Sequence, residues 1–220
     1  EVPRLSPTNL RSPVWLRLRG ALWVPAYLAV FALLEHLPRQ HYWATQLPLD
    51  AVIPFCPVFV VFYCVWYVLL IGTGLFLLVR DGGAFRRYMQ FLALTFFLSA
   101  AVWFLIPSCQ NLRPAQMEES SIFTALLALL YRIDTNTNAV VFPSAHVVGA
   151  IGAALAVWDW QRPGRHRGAL ILTAVLAGLI CLSTVLIKQH ALLDVLGGLL
   201  LAAGAGWFVY RPVKSLSPNN

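Results

Sequence analysis

Six long apolar runs dominate this sequence and limit what the chain can fold into. They occupy residues 20–37, 57–79, 88–107, 144–160, 168–187 and 190–210. A helix crosses the hydrocarbon core of a bilayer with about 20 apolar residues, and only helices or closed barrels satisfy their backbone there. These runs are too long and too continuous for barrel strands. The sequence therefore predicts an all-α, polytopic membrane protein with six transmembrane helices.

The composition supports this interpretation and excludes an ordinary soluble domain. Hydrophobic residues make up 59% of the 220 residues and charged residues 11%, whereas soluble domains have roughly 45–50% apolar and about 25% charged residues. We expect one domain over residues 1–220, surrounded by membrane lipids. We attribute the formal net charge of +7 to loops at the membrane surface, and we expect no nucleic-acid partner.

The basic residues lie mostly on one side of the predicted bundle. Twelve of the 16 lysine and arginine residues precede the first run, follow the sixth, or lie between runs two and three or four and five. The other side holds Arg39, Arg113, Arg132 and Lys188. Because cytoplasmic loops are rich in such residues, we expect both termini in the cytoplasm. We expect the protein in the cell (plasma) membrane, with an extracytoplasmic active site.

The longest stretch outside the six runs, residues 108–143, contains a shorter apolar segment at residues 122–131. A helix of about ten residues is too short to cross a bilayer. We therefore predict an interfacial helix on the outer surface, between the third and fourth spans.

A histidine and an aspartate stand at the outward end of the sixth run. His190 and Asp194 are four residues apart, so on a helix they would share a face. A carboxylate beside an imidazole holds one tautomer and stabilises the imidazolium that forms when the other nitrogen reacts. This spacing alone is more often a structural pair. Because ionisable groups at membrane depth are costly, we interpret His190 as a candidate nucleophile and Asp194 as its partner.

Further polar residues are expected at the same membrane face. Ser144 and His146 begin the fourth run, where Pro143 fits the first turn of a helix. Ser144 and the free amides of a helix start can bind an anion, and His146 could protonate a leaving oxygen. Arg113 and Lys188 could hold phosphate oxygens. Two histidines and an aspartate could also bind a metal, but the adjacent positive charges oppose a cation, so we expect no metal site.

Three segments resemble the signature motifs of the type 2 phosphatidic acid phosphatase superfamily. They are Arg113-Pro114, Pro143-Ser144-Ala145-His146 and residues 183–194, in the family's order and at helix starts. The resemblance covers roughly residues 90–200. Residues 142–146 and 183–190 look most like the branch that includes inositol phosphorylceramide synthases. Residues 48–55 and Trp66-Tyr67 resemble the same branch less specifically.

This resemblance implies six transmembrane helices and a reaction on a lipid phosphate that needs no metal or other cofactor. It implies that His190 is the nucleophile that becomes phosphorylated, that Asp194 activates it and that His146 is the general acid. Ser144 and Arg113 match phosphate-binding positions of the family.

The sequence departs from the family pattern at three positions. Ile106 stands where the first motif usually has a lysine, Thr184 where the third usually has an arginine, and Ala145 where glycine is commoner. Lys188 lies one helical turn after Thr184. We expect it to supply the missing positive charge, although lysine lacks the bidentate fork of arginine.

Two reactions use this set of residues. In hydrolysis, His190 attacks the phosphorus of a lipid phosphate or diphosphate, His146 protonates the departing oxygen, and water then releases phosphate. In transfer, a lipid hydroxyl takes the place of water, as in the phosphorylceramide synthases. We favour hydrolysis and keep transfer as the alternative. A transporter or structural membrane protein is a further alternative, although the sequence lacks the paired, Gly/Pro-interrupted halves that favour a transporter.

Overall fold

The computed structural model describes residues 14–117, 121–133, 138–161 and 166–211. The α-helices in these residues are α1 (Val14–Arg17), α2 (Val24–His36), α3 (Val60–Arg80), α4 (Gly82–Leu105), α5 (Ile122–Ile133), α6 (Ala145–Trp160), α7 (Arg167–Leu186) and α8 (Leu192–Tyr210). Short 3₁₀ turns cover Leu18–Ala21, Pro48–Ala51 and Pro57–Phe59. The strands are β1 (Trp43–Ala44), β2 (Ser108–Cys109) and β3 (Asn138–Ala139).

Five helical segments in the described residues are long and apolar enough to cross a membrane. They are Leu18–His36, Pro57–Arg80, Gly82–Leu105, Arg167–Leu186 and Leu192–Tyr210. The all-α prediction is thus confirmed, and five of the six predicted spans have a matching helix. The remaining run forms α6, which has 16 residues. At about 1.5 Å per residue it is shorter than the roughly 30 Å hydrocarbon core, so a sixth span stays a prediction.

The shorter helix α6 lies at the centre of the bundle and packs against α3, α4, α7 and α8. A helix with four packed neighbours is apolar on most of its surface, which explains the continuous apolar run in its sequence. Two of its glycines allow large rings to approach. A Cβ at Gly149 would lie 2.8 Å from Trp66 Nε1, and one at Gly152 would lie 2.5 Å from Phe91 Cε1. The core therefore depends on the missing side chains at these two positions.

Charged side chains at one end of the bundle join helix ends. Arg87 Nε donates to Asp159 Oδ2 at 2.6 Å and so links α4 to α6. Asp81 Oδ1 accepts from the amides of Gly83 and Ala84, both at 2.9 Å, and caps α4. This is the end predicted to face the cytoplasm, and its orientation stays a prediction.

Five of the twelve basic residues on which the predicted topology rests lie outside the described residues: Arg4, Arg11, Arg162, Arg165 and Lys214.

Three loops at the other end of the bundle are joined by a small sheet that the sequence analysis does not predict. β1 pairs with β2 in parallel, and β2 pairs with β3 antiparallel. The side-chain oxygen of Ser108 also accepts from the amide of Phe142 at 2.9 Å. Two-residue strands carry too little periodicity to be seen in a sequence. The sheet holds together the segments that follow α2, follow α4 and precede α6.

The helix predicted between the third and fourth spans is present as α5, with 12 residues. Leu127 and Leu130 are buried in a cluster with residues from the start of α3. Ile122 and Ile133 are exposed. The helix therefore has apolar side chains both toward the bundle and away from it. Its location at the membrane interface stays a prediction.

Candidate active site

His190 and Asp194 lie together at the start of α8. The Nδ1 atom of His190 is 3.5 Å from Asp194 Oδ2, close enough for an ion pair but without a hydrogen bond, and Oδ2 accepts from the amide of Ala191 at 2.8 Å. Asp194 is fully buried, and His190 is 6% exposed. α8 begins at Leu192, so the two side chains do not share a helix face as expected, and the turn before the helix brings them together instead. With Nδ1 against the carboxylate, Nε2 is the ring nitrogen left for attack.

Ser144 ties the start of α6 to the start of α8. Its hydroxyl oxygen accepts from the amide of Val147 at 3.4 Å, and its own amide donates to the carbonyl of Asp194 at 3.1 Å. Ser144 is therefore an N-cap. Pro143 lies before this cap. The prediction that it lies in the first helical turn is therefore wrong. The role of Ser144 as a phosphate ligand stays a prediction.

His146 is the second residue of α6, and aromatic rings of α3 hold its imidazole. Tyr63 stacks on it with ring centroids 4.1 Å apart, and the ring of Trp66 lies at 4.4 Å. The Tyr63 hydroxyl oxygen is 3.4 Å from His146 Nδ1. The ring centroids of His146 and His190 are 6.0 Å apart. The two imidazoles are thus close enough for one phosphoryl group to contact both.

Replacing Gly149 with alanine tests how strongly this aromatic support matters. The new Cβ would lie 2.8 Å from Trp66 Nε1, so the indole must move, and the imidazole of His146 packs against that indole. Because small displacements of a reacting group can cost up to about 10²-fold in rate, we expect the catalytic rate of Gly149→Ala to fall by about tenfold to 10²-fold. Steady-state kinetics of purified variants would measure this loss.

The matched control is Gly204→Ala in α8, where an added Cβ meets nothing within 4 Å. We expect this variant to keep the wild-type rate. Equal rates for the two alanine variants would mean that the position of Trp66 has no influence on catalysis.

Arg113 lies between β2 and α5 and contacts the segment that leads to His190. Its Nη2 donates to Gln189 Oε1 at 2.6 Å, and its Nη1 donates to the carbonyl of Tyr131 at 3.3 Å. The guanidinium carbon lies 4.2 Å from the centre of the Tyr131 ring. Burial raises the pKa of the Tyr131 phenol, against the lowering effect of Arg113. The phenol therefore stays protonated at neutral pH and donates to the carbonyl of Ile187.

Other parts of the chain bind the neighbouring backbone carbonyls. Gln110 Nε2 donates to the carbonyls of Lys188 and Gln189 at 3.2 and 3.1 Å. The amide of Cys56 donates to the carbonyl of Leu186 at 2.9 Å. Because a buried carbonyl without a partner is costly, these bonds fix the path of the chain into His190. No sequence pattern predicts Gln110, Tyr131 or Gln189 as part of the site.

Lys188 directs its ammonium group to backbone carbonyls. Its Nζ donates to the carbonyl of Asp50 at 2.8 Å and to that of Ile53 at 2.6 Å, and the side chain is buried. The sequence predicts that Lys188 binds phosphate in place of the absent family arginine. That assignment stays a prediction, whereas the carbonyl contacts are observed. Thr184, which occupies the arginine position, is buried in α7.

The arrangement supplies the parts of a phosphoryl-transfer site. One imidazole has a buried carboxylate behind it, and a second imidazole lies nearby to move a proton. In the part of the chain that the structure describes, no group of three or more His, Cys, Asp or Glu residues could hold a metal ion.

Comparison with known proteins identifies the family. The family model of the PAP2 superfamily matches residues 87–216, which is more than half of the 220 residues. No curated protein and no solved structure gives a significant match. The matched part contains all the candidate site residues, Arg113, Ser144, His146, Lys188, His190 and Asp194. Members of this superfamily are typically phosphatases or phosphotransferases. The superfamily indicated by the sequence motifs is thus confirmed, and this chain belongs to the PAP2 superfamily.

Proposed function

We propose that this protein hydrolyses a lipid phosphate or diphosphate, without a metal, through a phosphohistidine at His190. The observation that carries the proposal is the grouping of His190, Asp194 and His146. The carboxylate of Asp194 lies 3.5 Å from His190 Nδ1, and the second imidazole lies 6.0 Å from the first. Membership of a superfamily of phosphatases and phosphotransferases supports the same chemistry.

The reaction has two half-reactions. In the first, the lone pair of His190 Nε2 forms a bond to phosphorus, and the bond from phosphorus to the leaving oxygen breaks. This oxygen belongs to the lipid alcohol of a monophosphate or to the lipid monophosphate of a diphosphate, and His146 gives it a proton. In the second, His146 takes a proton from water, the water oxygen attacks phosphorus, and the bond to Nε2 breaks to release phosphate. Asp194 stabilises the imidazolium form of His190, while Arg113 and Ser144 bind phosphate oxygens.

A lipid substrate is supported by the placement of the site. Long apolar helices flank it, and their lengths suit a bilayer. We place α6 as the sixth span and α5 in the membrane interface, so that a lipid headgroup reaches His190 from the bilayer edge. The excess of arginine on the opposite side supports a location of this face outside the cytoplasm, at the plasma membrane.

Transfer to a lipid alcohol is the second candidate. His190 is 6% exposed and Asp194 is fully buried. A site with so little solvent contact limits water in the second half-reaction and favours a bound hydroxyl acceptor. Resemblance to the inositol phosphorylceramide synthase branch favours the same alternative.

The test is phosphate release by the purified protein in detergent with a chelator present. The substrates are phosphatidate, phosphatidylglycerophosphate and a prenyl diphosphate. We expect release from at least one of them, unaffected by the chelator. If none releases phosphate, the panel is repeated with a phospholipid donor and diacylglycerol or ceramide as acceptor, and a phosphorylated acceptor would identify a transferase. No product in either format would contradict both reactions for these substrates.

A further inference from the structure

The segment of residues 188–192 has His190 at its centre, and both of its ends are bonded to one short turn elsewhere in the chain. Lys188 Nζ donates to the carbonyls of Asp50 and Ile53 at 2.8 and 2.6 Å. At the other end of the segment, the amide of Leu192 donates to Asp50 Oδ1 at 2.8 Å. The turn at residues 50–53 therefore holds this segment two residues before and two residues after His190.

Asp50 is 1% exposed, and hydrogen bonds engage both of its carboxylate oxygens. Oδ2 accepts from the amide of Leu47 at 2.7 Å, while Oδ1 takes the Leu192 amide. Leu192 is the first residue of α8, so its amide has no partner within the helix. A carboxylate at this position stabilises the helix start by hydrogen bonding and by its charge. Asp50 thus holds the first residue of α8, two residues after His190.

Lys188 has a backbone φ of 57°. This left-handed conformation is costly for a residue with a side chain, and it persists only where surrounding contacts hold it. The two bonds from the buried ammonium group are such contacts. They bind the lysine side chain to the backbone of residues 50–53. The left-handed conformation at Lys188 changes the direction of the chain and so sets the position of His190, two residues later.

We propose that Asp50 and Lys188 form a clamp that positions His190 for attack on phosphorus. Lys188 acts through the backbone before His190, and Asp50 acts through the backbone after it. Both are positioning residues in this scheme, and neither needs to touch the substrate. The inference rests on the proposed function of His190. Asp50 lies outside the family match, which begins at residue 87. The clamp therefore makes the N-terminal part of the chain a component of the active site.

The test compares Asp50→Ala and Lys188→Gln with Asp81→Ala as the matched control. Asp81 is also a carboxylate that accepts two backbone amides, but it caps α4 at the other end of the bundle. An alanine at either position removes the acceptors of both amides. Glutamine at position 188 keeps two N–H donors for the carbonyls and removes the charge.

Kinetics and hydrogen exchange are measured on the full-length protein in detergent. For Asp50→Ala we expect kcat and the rate of His190 phosphorylation to fall by about tenfold to 10²-fold, with KM changed by less than about threefold. The amide of Leu192 should exchange about fivefold to tenfold faster. Asp81→Ala should leave kcat and that amide as in the wild type, even if the melting temperature falls by a similar amount.

For Lys188→Gln we expect a smaller loss of kcat than for Asp50→Ala, because glutamine keeps N–H donors, although its side chain is one atom shorter than that of lysine. A large rise in KM with kcat intact would instead make Lys188 a phosphate ligand and overturn its part in the clamp. Equal kinetic losses in Asp50→Ala and Asp81→Ala, or an unchanged Leu192 amide, would overturn the part of Asp50. A wild type that forms no phosphohistidine would refute the proposed function and, with it, the positioning role. Faster Leu192 exchange would then show a structural cap alone.

Discussion

His190→Ala is expected to lower phosphate release by roughly 10⁴- to 10⁶-fold, the loss typical of removing a covalent nucleophile. The variant keeps Asp194 and His146, but no atom at position 190 can form a bond to phosphorus. Initial rates of the purified protein measure the loss. With a ³²P-labelled substrate, the wild type should also carry an acid-labile label that the variant lacks.

Two further variants separate loss of the nucleophile from loss of any histidine and from loss of stability. His41→Ala removes an exposed histidine next to β1 and should leave the rate unchanged, as surface substitutions usually do. Because alanine leaves the buried carboxylate of Asp194 without its imidazole, it can also destabilise the fold. His190→Asn keeps a polar side chain there and should be equally inactive. A folded His190 variant with a substantial part of the wild-type rate would contradict the mechanism.

His146→Ala is expected to have the second largest effect, and its size should depend on the leaving group. Loss of a general acid typically costs about 10²- to 10⁴-fold. We expect this loss with an alkyl phosphate such as phosphatidate, whose departing oxygen needs a proton. With nitrophenyl phosphate the departing oxygen is stable as an anion, so the first half-reaction should be slowed much less. The measurement is the ratio of wild-type to variant rates for the two substrates.

The same variant should accumulate phosphohistidine with nitrophenyl phosphate, because the attack of water also needs His146 as a base. Tyr63→Phe is the control for the surroundings of the imidazole. It removes the hydroxyl 3.4 Å from Nδ1 and keeps the stacked ring. We expect it to slow both substrates equally and by less than about tenfold. If His146→Ala slowed both substrates by the same factor, His146 would act in binding and not in proton transfer.

Features with a local signal could be predicted from the sequence. The run at residues 168–187 became α7, Arg167–Leu186, because a stretch of apolar residues and a following break define a helix without reference to the rest of the chain. The short segment at 122–131 likewise became α5, Ile122–Ile133. The parts that were missed have no such signal. The three strands have two residues each, and their pairing depends on loops far apart in the chain.

The candidate site shows the same division. His190, His146 and Asp194 could be selected because ionisable residues are unusual at membrane depth and because they match family motifs. Trp66 was named only as part of a family resemblance and Tyr63 was missed, although the two lie three residues apart on one face of α3. Nothing in the sequence shows, however, that this face holds His146.

The sequence by itself determined the class of protein, the helices and the chemical groups available for phosphoryl transfer. These follow from hydrophobic runs, charge distribution and residue type, which are local properties. Only the tertiary structure decided which side chain meets which group. Lys188 binds the carbonyl of Asp50, 138 residues away, and Tyr63 meets His146 across 83 residues. Such contacts exist because whole helices and loops pack together, so no pattern near Lys188 or Tyr63 could reveal them.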